Sequence, residues 1–145
     1  MTVQPIPEGY ATITPYFAVD AAAELIEFLK AAFGAEIKGC SQKDGIIYNA
    51  ELRIGTSMIM VADTRGRHPG TKAMMYLYVP DVDQAYARAI AAGAKSIMEP
   101  MDQFYGDRSG GVEDPSGNQW WVATHIRDVP ADEITRLMAQ QGGKG

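Results

Sequence analysis

The sequence predicts an α+β fold in which two tandem βαβββ modules form a cup-shaped mixed sheet, followed by a short C-terminal helix. The first of three observations is a pattern of strand, Asp, helix and Gly-Ala that occurs twice, about sixty residues apart. Residues 13–19 lead into Asp20, the segment 21–33 and Gly34-Ala35; residues 74–79 lead through Pro80 into Asp81, the segment 82–92 and Gly93-Ala94. Second, each copy ends in strands joined by a tight turn, at residues 51–62 and 111–124. Third, a chain of 145 residues suits one domain or two closely packed half-domains. The expected layout is therefore a single domain over 1–145, with module one at about 10–63, a linker at 64–72, module two at about 73–125 and a helical tail at 130–141.

Helix one carries apolar residues at Ala22, Leu25, Ile26, Leu29, Ala32 and Phe33, a spacing that turns one face toward a sheet. Asp20 is its expected N-cap and Gly34 its left-handed stop. Three strands follow, at 35–40, 46–53 and 57–62, with Lys43-Asp44-Gly45 and Gly55-Thr56 as turns. Helix two repeats the logic, with Asp81 as cap, a stripe of Val82, Ala85, Tyr86, Ala89 and Ile90, and Gly93 as stop. Strands at 96–99, 109–113 and 119–124 complete the second module, and Asp114-Pro115-Ser116-Gly117-Asn118 reads as a structural turn. Pro130-Ala131-Asp132-Glu133 opens the last helix.

Composition narrows the function classes. The net charge of −5 argues against a nucleic-acid surface, which needs clustered Lys and Arg. No apolar run approaches the roughly 20 residues of a membrane helix. The single Cys40 cannot form an internal disulfide and carries no nearby His, so it is read as structural in a reducing compartment. These features predict a cytoplasmic protein whose partner is a small-molecule ligand, with no nucleic acid and no membrane.

The repeated strand-Asp-helix-Gly-Ala unit with its closing Asp-Pro-Ser-Gly-Asn turn resembles the vicinal oxygen chelate superfamily, which includes glyoxalases, extradiol dioxygenases and bleomycin resistance proteins. More narrowly, Ala50-Glu51-Leu52-Arg53-Ile54-Gly55, Tyr105-Gly106-Asp107-Arg108-Ser109-Gly110 and Trp120-Trp121-Val122-Ala123-Thr124-His125 resemble its PhnB-like bacterial branch. The resemblance implies the glyoxalase/bleomycin-resistance fold and a homodimer. In metal-dependent members, His and Glu from the first and last strand of each half hold a divalent ion. Matched to this chain, those places fall near Thr14, Met60, Met74 and Trp121, residues unsuited to that ion. Asn49 departs from the His often found at that position in the branch. The expectation is accordingly no metal and no cofactor, with His68 in the linker and His125 beyond the last strand.

Strand alternation supplies the candidate ligand-binding residues. If Phe17 and Val19 pack under helix one, Thr14 and Tyr16 face the cup; by the same rule Met74, Tyr76 and Tyr78 face it from the second module, joined by Met58, Met60 and Trp121. Met, Tyr and Trp make an adaptable surface for a planar or amphipathic molecule. Asn49, Glu51 and Arg53 add a polar strip that grips a ligand or forms an edge-strand ion pair, and Arg108 stands on a glycine-flanked loop where it reaches the cup mouth or pairs with Asp102 or Asp107. The leading expectation is a metal-independent binding protein with an aromatic and Met-lined cup. The alternatives are a glyoxalase-type lyase or isomerase, metal-dependent or using Glu51 as general base, and a non-catalytic dimeric interaction domain.

Overall fold

A computed structural model of the chain describes residues 3–67 and 69–142. The elements run β1 (Tyr16–Val19), α1 (Ala22–Phe33), β2 (Glu36–Lys43), β3 (Ile46–Ile54), β4 (Ser57–Asp63), β5 (Met74–Tyr78), α2 (Val82–Ala91), β6 (Lys95–Asp102), β7 (Asp107–Glu113), β8 (Gln119–His125) and α3 (Ala131–Gly142). They form two four-stranded mixed sheets, ordered β1-β4-β3-β2 and β5-β8-β7-β6. In each, the opening strand lies parallel to the last, with Phe17 opposite Val61 and Leu77 opposite Val122, and the remaining pairs are antiparallel. The β2–β3 turn places Asp44 at φ 55° and Gly45 at φ 79°, the two left-handed residues of a tight hairpin whose twist matches its strands. The first strand is shorter than its apolar run because Pro15 has no N–H to donate, although its carbonyl still accepts from the Met60 amide.

One side of each sheet packs on its helix. Phe17, Leu52, Val61, Leu25 and Leu29 are fully buried in the first module, as are Val82, Val112 and Val122 in the second. The two modules share this core: Phe17 of β1 stacks on Trp120 of β8 with ring centroids 5.5 Å apart, and Phe33 of α1 leans on the same indole at 5.3 Å. Helices α1 and α2 also pack together. The halves therefore meet on their helix-bearing sides. The opposite sides remain open, where Tyr16 is 50%, Met74 65%, Tyr76 48% and Tyr78 61% exposed.

The helix starts differ from the expected caps. Residue Ala21 holds the N-cap position of α1 without a side-chain bond, and the Asp20 carboxylate instead accepts the Thr64 hydroxyl at 2.6 Å. Capping passes to Asp63 at the end of β4, whose two oxygens accept the Ala22 amide at 2.9 Å and the Ile47 amide at 2.7 Å. The second module repeats the device with Thr124 at the end of β8, which accepts from the Val82 amide and donates to the Val79 carbonyl. Here Asp81 caps as expected, accepting from the Gln84 amide. In the turn before β8, the buried Asp114 accepts from the Ser116 and Asn118 amides and from the Trp120 indole, a structural role.

Because Asp63 serves two backbone donors that no other side chain among the described residues is seen to serve, Asp63→Ala is expected to destabilise the fold by about 1–3 kcal/mol, and Asp20→Ala by about 0.5–1.5 kcal/mol. Denaturant unfolding of the two variants measures the order; equal losses would assign the cap to neither.

Candidate functional site

On the open face of the first sheet, register sets Tyr16, Met60 and Glu51 side by side across β1, β4 and β3, with Arg53 beside Met58. Asn49 and Glu51 are half-buried and Arg53 is exposed. Tyr10, from the lead before β1, folds over this face and donates its hydroxyl to Glu51. Burial, then the hydrogen bond and the charge of Glu51, push the Tyr10 phenol up to about 12. Arg53 lies 3.7 Å from Glu36, which also pairs with Lys38 at 2.9 Å on the sheet surface. Thr14 is half-buried in the lead, and Ile13, Pro15 and Met58 help line a cavity of about 280 Å³ between the lead and β4.

On the second sheet, Met74, Tyr76 and Tyr78 line one side of β5, with Tyr76 opposite Trp121 and Tyr78 opposite Ala123. The Trp121 ring lies flat on Gly111 of β7, where a Cβ would come within 2.7 Å of it. Arg108 falls on the other side. Its guanidinium makes two 3.0 Å bonds to Asp83 of α2 and one of 3.1 Å to Asp102, so it braces β7 against the helix. Those bonds raise its pKa and lower that of Asp83.

The same open face carries a polar cluster that the sequence did not reveal. Asp107, 4% exposed, accepts the Tyr76 hydroxyl at 2.7 Å and the Tyr78 hydroxyl at 2.9 Å on one oxygen. Its other oxygen lies 2.8 Å from His125 Nδ1, and His125 Nε2 lies 2.7 Å from Asp128. Burial works against the Asp107 charge, but the bonds from His125, Tyr76 and Tyr78 outweigh it and hold the carboxyl below its ordinary range. The Tyr76 phenol is raised by burial, then by Tyr105 and Asp107; that of Tyr78 is raised first by the Asp107 bond. His125 is raised by Asp107 and Asp128. The only sequence signal was that Asp107 opens β7 and His125 closes β8, which makes them cross-strand partners once the hairpin register is known. His68 lies outside the described residues.

At the four places matched to metal ligands, Thr14, Met60, Met74 and Trp121 bring no carboxylate or imidazole. Among the described residues no three His, Cys, Asp or Glu side chains converge in a way that could hold a metal ion. Also among them, no helix is long and apolar enough to cross a membrane.

Residues 11–122 match the Glyoxalase/Bleomycin resistance protein/Dioxygenase superfamily, and the chain belongs to it. An uncharacterized protein of Mycobacterium bovis is 36% identical over 142 residues, covering 90% of this chain and 93% of its own length. Among solved structures, TioX from Micromonospora sp. ML1 superposes with a TM-score of 0.70 at 25% identity, over 80% of this chain and 99% of that one. A Bacillus cereus PhnB protein, described as a putative 3-demethylubiquinone-9 3-methyltransferase, superposes at 0.63 with 17% identity, over 79% and 99% of the two chains, and shows the shared fold.

The direction of the His125 shift fixes a pH dependence. A histidine raised above its ordinary value of about 6.5 contributes stability that is complete below that pH and is lost as pH climbs through the raised value. Melting temperature is therefore expected to fall with rising pH across a window that opens near 6.5, and the fall should be absent in His125→Gln. At the acid end, Asp107 contributes stability present above its ordinary value and lost as pH drops through its lowered one. Identical melting profiles for both proteins above pH 6.5 would show that the cluster does not form.

Proposed function

We propose that this superfamily member is a homodimeric small-molecule binding protein that takes a planar or amphipathic ligand against the Tyr-, Met- and Trp-lined open faces of its sheets. One observation carries the reading: Tyr16, Met74, Tyr76 and Tyr78 hold large ring and thioether surfaces between 48% and 65% exposed on the sides of the sheets that no helix covers. Apolar surface of that extent, grouped by strand register and not scattered, marks a binding or association face. A second copy related by a twofold axis would cover both faces and turn them into walls of an enclosed cup. Within it, Met58, Met60 and Trp121 supply adaptable contact area, while Asn49 and Arg53 offer polar groups at one edge.

The alternative of a glyoxalase-type lyase or isomerase with Glu51 as general base draws on the position of Glu51 at the centre of the first open face, beside Tyr16 and Met60. Its carboxylate is already engaged by the Tyr10 hydroxyl, so a base role requires the lead segment to lift away. Arg108, committed to Asp83 and Asp102 on the helix side, has no part in the proposed cup.

Light scattering on the eluting protein is expected to return twice the 15.7 kDa chain mass. Titration with a panel of planar aromatic compounds is expected to quench the emission of Trp121, which borders the open face, and Trp121→Phe should abolish most of the quench because Trp120 is sealed in the core. A monomer whose fluorescence responds to no compound in the panel would overturn the proposal.

A further inference from the structure

We propose that His125, oriented by Asp107, is a cationic anchor that binds the oxygen of a small phenol, as phenolate, lying against Tyr76 and Tyr78, and that Asp128 occupies the same imidazole nitrogen when the ligand is absent. This rests on the reading that the open face of the second sheet receives a planar molecule, and it adds the chemical class and the polar contact.

The geometry supports each part. Asp107 is buried and bonded to three side-chain donors, so its orientation is set by the sheet, by both tyrosines and by His125. A carboxylate held in its charged form can only accept, which puts a proton on His125 Nδ1 and directs Nε2 away from Asp107. The Asp128 carboxylate accepts in the same way from Nε2, so both ring nitrogens carry protons and the imidazolium is held between a buried and an exposed carboxylate. Nε2 is not sealed: the His125 side chain is half exposed, and its partner Asp128 is a fully exposed carboxylate on the loop after β8. An ion pair to so exposed a group contributes little and is readily exchanged for a ligand.

Tyr76 and Tyr78 provide the apolar part of the site. Their rings stand 5.3 Å apart at 58°, tied by their hydroxyls to Asp107, and so present a tilted aromatic wall whose position relative to His125 is fixed through one shared carboxylate. An aromatic ring packs on such a wall at offset or edge geometry. A hydroxyl on that ring then meets Nε2. A phenol suits the site better than an aliphatic alcohol because it ionises far more readily and so can present an anionic oxygen to the imidazolium. The phenol O–H bond breaks with its proton released to solvent, the electron pair stays on the phenolate oxygen, and that oxygen accepts from the Nε2–H that Asp128 gives up, while Asp107 balances the imidazolium. The same ion pair results when a neutral imidazole, freed of Asp128, meets the phenol and takes its proton at Nε2.

The test uses 4-nitrophenol, whose phenolate absorbs in the visible, and 4-nitroanisole, which has a similar ring without an ionisable hydroxyl. With full-length protein in excess, the ionisation midpoint of 4-nitrophenol is expected to move to lower pH, with a roughly tenfold rise in the phenolate-to-phenol ratio below its free midpoint. His125→Gln should lose this shift while still binding 4-nitroanisole, read by tryptophan quenching. Asp128→Ala should bind 4-nitrophenol several-fold more tightly, because it removes the competing carboxylate; a purely structural role for Asp128 would leave affinity unchanged or lower it. As Asp128 is fully exposed, that variant decides the matter even if His125→Gln does not fold. An unmoved midpoint, an equal shift in His125→Gln, or unchanged affinity in Asp128→Ala overturns the inference. If 4-nitroanisole binds and the 4-nitrophenol midpoint does not move, the anchor alone fails; if neither compound binds, the binding reading of this face fails with it.

Discussion

The contact of Phe17 and Phe33 with the Trp120 indole decides how the rest of the molecule is arranged. It joins the modules through their helix-bearing sides, where α1 and α2 also meet. A sheet has two faces, and this contact spends one face of each on the common core. The other two are left without cover. What would otherwise be an unexplained set of exposed tyrosines and methionines thus follows from where the aromatic rings were placed.

The duplication extends to hydrogen bonding. Asp63 and Thr124 occupy equivalent places at the ends of β4 and β8, and each receives the first amide of its module's helix. The parallel pairing of the first and last strand brings this about, since it carries the end of the last strand to the point where the helix begins. The two residues differ in charge and in reach. Asp63 also holds the start of β3, whereas Thr124 donates back to the end of β5, so the same backbone need has been met by different chemistry.

The open faces have diverged further. On the first sheet the lead segment lies over Glu51 and Tyr10 binds it, which makes that face partly self-covered. On the second, Asp107 draws two tyrosines and one histidine into a single network whose outer nitrogen meets only an exposed loop carboxylate. Charge that is buried and oriented by bonds on one side but accessible on the other is where a protein can hold a polar ligand group at low reorganisation cost. The asymmetry places the more specific chemistry on module two.

Local periodicity was sufficient to read the two modules, their helices and the side of each strand that faces the core, because residue spacings of 2 and 3.6 depend only on neighbours along the chain. It also assigned Tyr16, Met58 and Met60 to the open side of the first sheet, and Met74, Tyr76, Tyr78 and Trp121 to the open side of the second. Whatever depended on register or on a partner from far along the chain was decided by tertiary structure. Asp20 looked like a cap, yet the bond went to Asp63, which lies 41 positions from the amide it accepts. Arg108 has a loop-like sequence context but sits one step out of phase with Asp107 on β7, and that single step turns it to the helix side. The pairing of Asp107 with His125 exists only because the β7–β8 hairpin sets them opposite each other. No pattern in the chain specifies that register before the strands are paired, so the most chemically distinctive cluster was the least legible part of the sequence.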